Sequence, residues 1–186
     1  MPLTVLDPKT ALVIIDLQKG ILSFPMAHPS APVLEKAGRL ARAFRKKGWP
    51  VVLVNVGGGA PGRTDAGPIK FTPGPDWLDI VPELDPQPSD IRVTKAQWGA
   101  FYGTALDLQL RRRGVTQIVL CGIATSIGVE STARDAYERG YNVTLVTDAM
   151  TDMKVEAHDN SLDRIFPRLG ETGTTDAALA LLEKSA

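Results

Sequence analysis

The chain has 186 residues, 44% of them hydrophobic and 23% charged, which suits one globular domain spanning residues 1–186 with a full core. Its 21 basic and 21 acidic side chains cancel, which leaves no basic footprint for nucleic acid or an acidic membrane. One cysteine excludes an intrachain disulfide and suits a reducing, cytoplasmic compartment, and no run reaches the roughly 20 apolar residues of a membrane span. The start at Met1-Pro-Leu-Thr-Val lacks the basic and then apolar layout of a signal peptide.

In chain order, Ala11–Ile15 is a continuous apolar run that predicts a central parallel strand, with Asp16 at its carboxyl end. His28, beside Pro29, reads as a loop residue. Residues 32–47 read as a helix: Pro32 suits the first turn, and Leu34, Ala37, Ala41 and Phe44 form an apolar stripe. Arg45-Lys46-Lys47 and Gly48 supply a basic last turn and a stop. Val51–Val56 is the second strand. Residues 57–88, rich in Gly, Pro and Asp with Phe71 and Trp77 embedded, read as a long surface excursion of the lid or binding-loop kind. A short strand follows at Asp90–Val93, then Thr94 and Lys95.

Thr104-Ala-Leu-Asp107 resembles a capping box, and the helix it opens runs to Arg111-Arg112-Arg113-Gly114, a solvated basic helix end. Gln117–Cys121 predicts a fourth, buried strand, which Gly122 ends by permitting a tight turn. From Thr125 or Ser126, both candidate N-caps, the period becomes helical: Val129, Ala133 and Ala136 share a face, and Gly140 stops the helix. Asn142–Thr147 is a fifth strand ending at Asp148-Ala149. Residues 155–164 read as a helix with His158 on its surface, residues 165–169 as a short sixth strand, and residues 175–184 as a terminal helix with Leu179 and Leu182 inward.

Alternating strands and helices imply right-handed crossovers and a parallel sheet, in which ligands sit beyond the carboxyl ends of the strands. Asp16, Lys95 and the 122–128 turn all lie there. Together they offer an acid for proton transfer, an ammonium for an anion, and backbone donors at a helix start. The alternative reading makes Asp16 a turn cap and Lys95 a surface ion-pair partner. Trp98 and Phe101 suit a pocket wall or core packing equally.

Three sets of residues carry a resemblance. They are Ala11-Leu-Val-Ile-Ile-Asp-Leu-Gln18; Val93-Thr-Lys95 with Trp98, Phe101 and Gly103-Thr104; and Gly122-Ile-Ala-Thr125 with 131–136, Gly140-Tyr141 and Asp148-Ala149. In order and spacing they resemble the isochorismatase-like hydrolase superfamily, also called the cysteine hydrolase family, which includes nicotinamidases and N-carbamoylsarcosine amidohydrolases. The resemblance implies a three-layer, Rossmann-like α/β/α fold with a six-stranded parallel sheet, a homodimer or homotetramer, and a small-molecule substrate. It implies a catalytic Asp-Lys-Cys triad in which Asp16 and Lys95 match the first two members. It also implies a cis peptide at Ile123–Ala124.

The nucleophilic cysteine falls at Gly128, which has nothing to attack with. Cys121, inside an apolar strand, reads as a small core hydrophobe. True isochorismatases resemble this arrangement, keeping the Asp and Lys with glycine at the cysteine position. They hydrolyse a vinyl ether by proton transfer without an enzyme nucleophile. Asp16 is then the expected proton donor, with a pKa raised by burial, and Lys95 its electrostatic partner. Gly128, Ala124, Trp98 and Arg63 are the candidate substrate contacts, Arg63 as a carboxylate clamp. The turn Ala124-Thr-Ser-Ile-Gly128 lacks the aromatic residue and histidine of siderophore-type isochorismatases. No histidine stands in the loop after the second strand, where nicotinamidases carry their metal motif, so no metal or other cofactor is expected. Two alternatives stand beside the vinyl-ether hydrolase: a thiol-less relative of amide and ureido hydrolases that binds without turnover, and a thiol enzyme using Cys121.

Overall fold

The computed structural model describes residues 3–65, 67 and 73–185; Phe71 lies outside them. Six parallel strands form the sheet: β1 (Thr10–Ile15), β2 (Val51–Val56), β3 (Ile91–Lys95), β4 (Gln117–Ile123), β5 (Asn142–Thr151) and β6 (Glu171–Gly173). Their order is β3-β2-β1-β4-β5-β6. The chain builds outward from β1 in one direction and from β4 in the other. The connections that leave these two centre strands therefore run to opposite sides at their carboxyl ends, the switch point where open parallel sheets bind ligands.

Alternation along β1 assigns the two faces. Leu12 and Ile14 pack with Leu40 and Phe44 of α2 (Ser30–Lys46) and Leu182 of α6 (Thr175–Lys184). Ala11, Val13 and Ile15 pack with Leu106 and Leu110 of α3 (Leu106–Arg111) and Ala133 and Ala136 of α4 (Glu130–Glu138). Each strand residue points to one face only, so an uninterrupted apolar run fills both cores.

Four local expectations are corrected. β4 does not stop at Cys121. It continues through Gly122 to Ile123, and β5 runs to Thr151 rather than Thr147, with a register shift between Leu120 and Gly122. Gly122 has φ 124, and a Cβ there would stand 2.1 Å from the Ile15 carbonyl oxygen. Only glycine lets β4 pass this close to the end of β1.

Residues 165–169 form no strand. Pro167 lacks a ladder donor, Phe166–Arg168 makes a 3-10 turn, and the buried Phe166 plugs the core; the sixth strand follows at Glu171–Gly173. The capping box does not close. Thr104 Oγ1 accepts the Leu106 N–H at 3.1 Å, but Asp107 turns to the Tyr141 hydroxyl at 2.8 Å and to Arg111.

The 57–88 excursion is partly built into the fold. Gln18 is buried and accepts the Val56 N–H at 2.7 Å. It donates to the Trp77 carbonyl at 2.8 Å, and pairs with Ile80 in an isolated antiparallel bridge. The Trp77 ring lies on Gly20 of α1 (Lys19–Leu22), where any Cβ would collide with it at 2.3 Å.

Candidate active site

Asp16 leaves β1 in the left-handed region, at φ 52, with its N–H bonded to the Val54 carbonyl at 3.0 Å. The bend brings its carboxyl to the rim of the sheet beside the end of β3. There Lys95 Nζ lies 2.7 Å from Asp16 Oδ2 and donates to the Gln97 carbonyl at 3.1 Å. Both residues are buried, 4% and 3% exposed. Asp16 Oδ1, equally buried, has no hydrogen-bond partner among the described residues. Burial pushes the carboxyl up from 3.8 to about 6, outweighing the opposite pull of the Lys95 charge and its hydrogen bond.

The third part follows β4. A cis peptide joins Ile123 and Ala124, and a π-helical turn at Thr125–Val129 leads into α4. Thr125 and Ser126 do not cap it with their side chains. The cap is Asp152, just past β5, whose Oδ2 accepts the Ser126 N–H at 2.7 Å. Thr125 Oγ1 instead reaches the Thr151 carbonyl at 3.0 Å and His158 Nδ1 at 2.8 Å. His158, expected on a helix surface, is 7% exposed, because α5 (Val155–Asn160) lays it against this turn. At Gly128 a Cβ would stand 3.2 Å from Asp16 Oδ2 and 2.9 Å from Ile15 Cγ2. A side chain at position 128 would therefore point at the Asp16–Lys95 pair.

These parts line a cavity of about 240 Å³ whose walls include Phe24, Trp77, Ile127, Ala124 and Met153. Trp98 stands at its rim, 61% exposed. Phe101 does not join the wall; it is 3% exposed and packs with Tyr141 in the core. Arg63 is exposed and is not part of the lining, so the expected clamp is not assembled. A larger cleft, about 510 Å³ between α2 and α6, contains none of the predicted site residues. Among the described residues no three His, Cys, Asp or Glu side chains converge as a metal site would need.

Sequence reasoning missed Asp152, Trp77 and Gln18 as site-building residues. Asp152 obeys the same carboxyl-end rule as Asp16, but the true length of β5 hid it. Trp77 shows only as an aromatic in a loop, and its seat on Gly20 has no local signal.

Cys121 is buried and its thiol is pushed up to about 12, by burial first and then by the Asp148 charge. Thiolate is the alkylating species. Native protein in iodoacetamide at pH 8 should therefore lose Cys121 at least about 100-fold more slowly than urea-unfolded protein. Gly128→Cys should add a site that alkylates rapidly while Cys121 stays intact by mass spectrometry. Rapid loss of Cys121 in the folded wild type would revive it as a nucleophile.

A doubly wound parallel sheet with a buried acid–amine pair and a cis-peptide turn at its switch point defines the class. Residues 10–177 match the Isochorismatase domain family, and the chain belongs to that family of hydrolases. It is 50% identical over 179 residues to the isochorismatase family protein YwoC of Bacillus subtilis, covering 92% of this chain and 93% of that one. An isochorismatase family protein from Burkholderia thailandensis, 46% identical, superimposes with a TM-score of 0.92 over 98% of each chain. The ureidoacrylate amidohydrolase RutB of Stutzerimonas stutzeri is 32% identical over 208 residues, covering 95% of this chain and 84% of that one.

Proposed function

We propose that the protein hydrolyses a small carboxylate-bearing vinyl ether, with Asp16 as the acid and no enzyme nucleophile. The observation that carries this is Asp16 Oδ1, a buried, unpartnered carboxyl oxygen of a cavity-lining residue whose pKa is raised to about 6. Protonated Asp16 delivers its proton to the terminal enol carbon. The ether carbon becomes an oxocarbenium ion, and water adds there and returns a proton to Asp16. The hemiketal then splits into a ketone and an alcohol. Atoms balance with one water consumed, and the proton transfer from Asp16 to carbon is general acid catalysis.

Lys95 resolves the conflict between binding an anion and keeping a proton on its neighbour. An ammonium has three N–H bonds; two go to Asp16 and Gln97, which leaves one for a substrate carboxylate. A carboxylate bound there offsets the Lys95 charge and so favours the protonated form of Asp16. Binding the substrate loads the acid. Gly128 and Ala124 line the same cavity beside Asp16, with Trp77 in its wall and Trp98 at its rim.

A second reading draws on the likeness to ureidoacrylate amidohydrolase: a thiol-less relative that holds an amide or ureide without cleaving it. The two separate in one assay. The protein is mixed with isochorismate, with simple enolpyruvyl ethers, and with ureides and amides; release of the keto acid and binding by calorimetry are both followed. Keto-acid release from an ether, falling as pH rises above about 6, is the expected result. Ureide binding with no turnover of any ether would favour the second reading. The same proposal has the chain act as one domain in a cytoplasmic homodimer or homotetramer, which light scattering and fractionation check.

A further inference from the structure

The back of the Ile123–Gly128 turn rests on a polar seam that the hydrolysis scheme does not use. Thr125 Oγ1 gives its one proton to the Thr151 carbonyl, so at the 2.8 Å contact His158 Nδ1 must be the donor. That fixes the neutral ring in its Nδ1–H tautomer. The His28 ring stands at 60° to it, 4.9 Å between centroids. His28 is held in turn by Thr151 Oγ1, 3.1 Å from its Nδ1 and 3.3 Å from its backbone N–H. Thr125 and Thr151 are fully buried, and the two imidazoles are fastened to them from one side.

Every element packed here contributes a charged or titratable group. Asp152, past β5, has both oxygens engaged, by Ser126 N–H and Met153 N–H, each at 2.7 Å. Glu130 of α4 is bound by Ser161 Oγ at 2.6 Å and by Arg134 at 2.9 Å. Asp159 of α5 is exposed. Burial first, then the His28 neighbour, pushes His158 below the ordinary histidine value, while Asp159 and Asp152 pull weakly the other way. A positive charge on His158 meets another imidazole before it meets an unengaged buried carboxylate.

We propose that His158 is a positioning residue for the site. As the neutral ring it holds Thr125, and through Thr125 the turn that sets Ala124 and Gly128 against Asp16. The imidazolium keeps its Nδ1–H, but a buried charge with no free carboxylate beside it favours a ring turned out to water, which releases Thr125 and loosens that turn. Its activity readout rests on the hydrolase reading above; its structural readout does not.

The site then works between two titrations. Loss of the Asp16 proton shuts it down on the basic side, and charging of His158 shuts it down on the acid side. The signature is a bell-shaped profile whose two limbs belong to different residues.

The test uses tag-free protein labelled with ¹⁵N. His28 and His158 are the only histidines in the chain, so single substitutions assign both rings. The expected result is that the amide signals of residues 125–128 move with the same midpoint as the His158 ring. His28→Asn should raise that midpoint. In His158→Gln, where an amide N–H still reaches Thr125, the movement should vanish. In turnover, His158→Gln should lose the acid limb, while His158→Leu, which cannot donate, should lower kcat about tenfold across the profile with KM changed less. Turn amides that stay flat through the His158 titration would overturn the proposal. So would an acid limb that survives in His158→Gln, or a His158→Leu variant equal to wild type. If no substrate turns over, the hydrolase reading fails while the amide titration still decides the role of His158.

Discussion

Asp16→Asn should lower kcat on a vinyl-ether substrate by about 10³-fold, within the span set by losing a general acid. The amide keeps the shape of the side chain and an oxygen for Lys95, so the fold and the cavity are retained, but it has no acidic proton to give. The loss should be full below about pH 6 and narrow above it, where wild type itself loses the working proton. Wild-type activity should fall as pH rises through about 6, because the working form is the protonated one. Stability carries the same titration. A carboxyl raised from 3.8 to about 6 contributes stability that is complete below pH 3.8 and is lost as pH rises through 6. That loss amounts to about 3 kcal/mol by the usual conversion of pKa shifts. Urea unfolding of wild type should therefore show this downward contribution between pH 4 and 7, and Asp16→Asn should lack it. A variant with wild-type kcat would remove Asp16 from the chemistry.

Lys95→Met should separate the two tasks given to the ammonium. Lys95 lowers the Asp16 pKa through both its charge and its hydrogen bond, yet burial already dominates. Removing the ammonium leaves burial unopposed, so the basic limb of the rate profile should move upward by about one unit or more. The same change removes the cation that receives the substrate carboxylate. KM should rise by about 30-fold or more, the scale of losing one partner of a buried charge pair. The protein should stay folded at neutral pH, because an unpaired Asp16 can take a proton instead of remaining a buried bare charge. Rate profiles against pH, taken at several substrate concentrations, give both numbers. An unmoved basic limb would mean that the limb does not report Asp16.

The parts of the fold that were legible in sequence are those written in local pattern. β1, β2 and the start of β4 are short apolar runs, and each is a strand. α6 spans the residues expected, 175–184, and the structure adds its cap, with Thr174 Oγ1 accepting the Ala177 N–H. Asp16 and Lys95 were found by one rule, that chemistry sits past the carboxyl ends of parallel strands, and the superfamily resemblance pointed to the same pair. What was missed depends on contacts between distant segments. Gly122 looked like a terminator because glycine often is one; its close approach to Ile15 is visible only when β1 and β4 lie side by side. β6 has three residues and no apolar run, while residues 165–169 look more like a strand and are held otherwise by Pro167. The cap of the π-turn comes from Asp152 rather than from its own Thr125 or Ser126, and His28 and His158 meet across most of the chain. Arg63 is exposed and away from the cavity lining; loop sequence does not encode the direction a side chain takes.

The mechanism requires a buried carboxyl that holds its proton up to about pH 6 despite the ammonium beside it. The direct measurement is the titration of the Asp16 side-chain carbon in protein carrying ¹³C-labelled aspartate, assigned with Asp16→Asn. A midpoint near 6 is the predicted result. A midpoint at or below the ordinary aspartate value would mean that Lys95 wins over burial, and the acid mechanism would be contradicted.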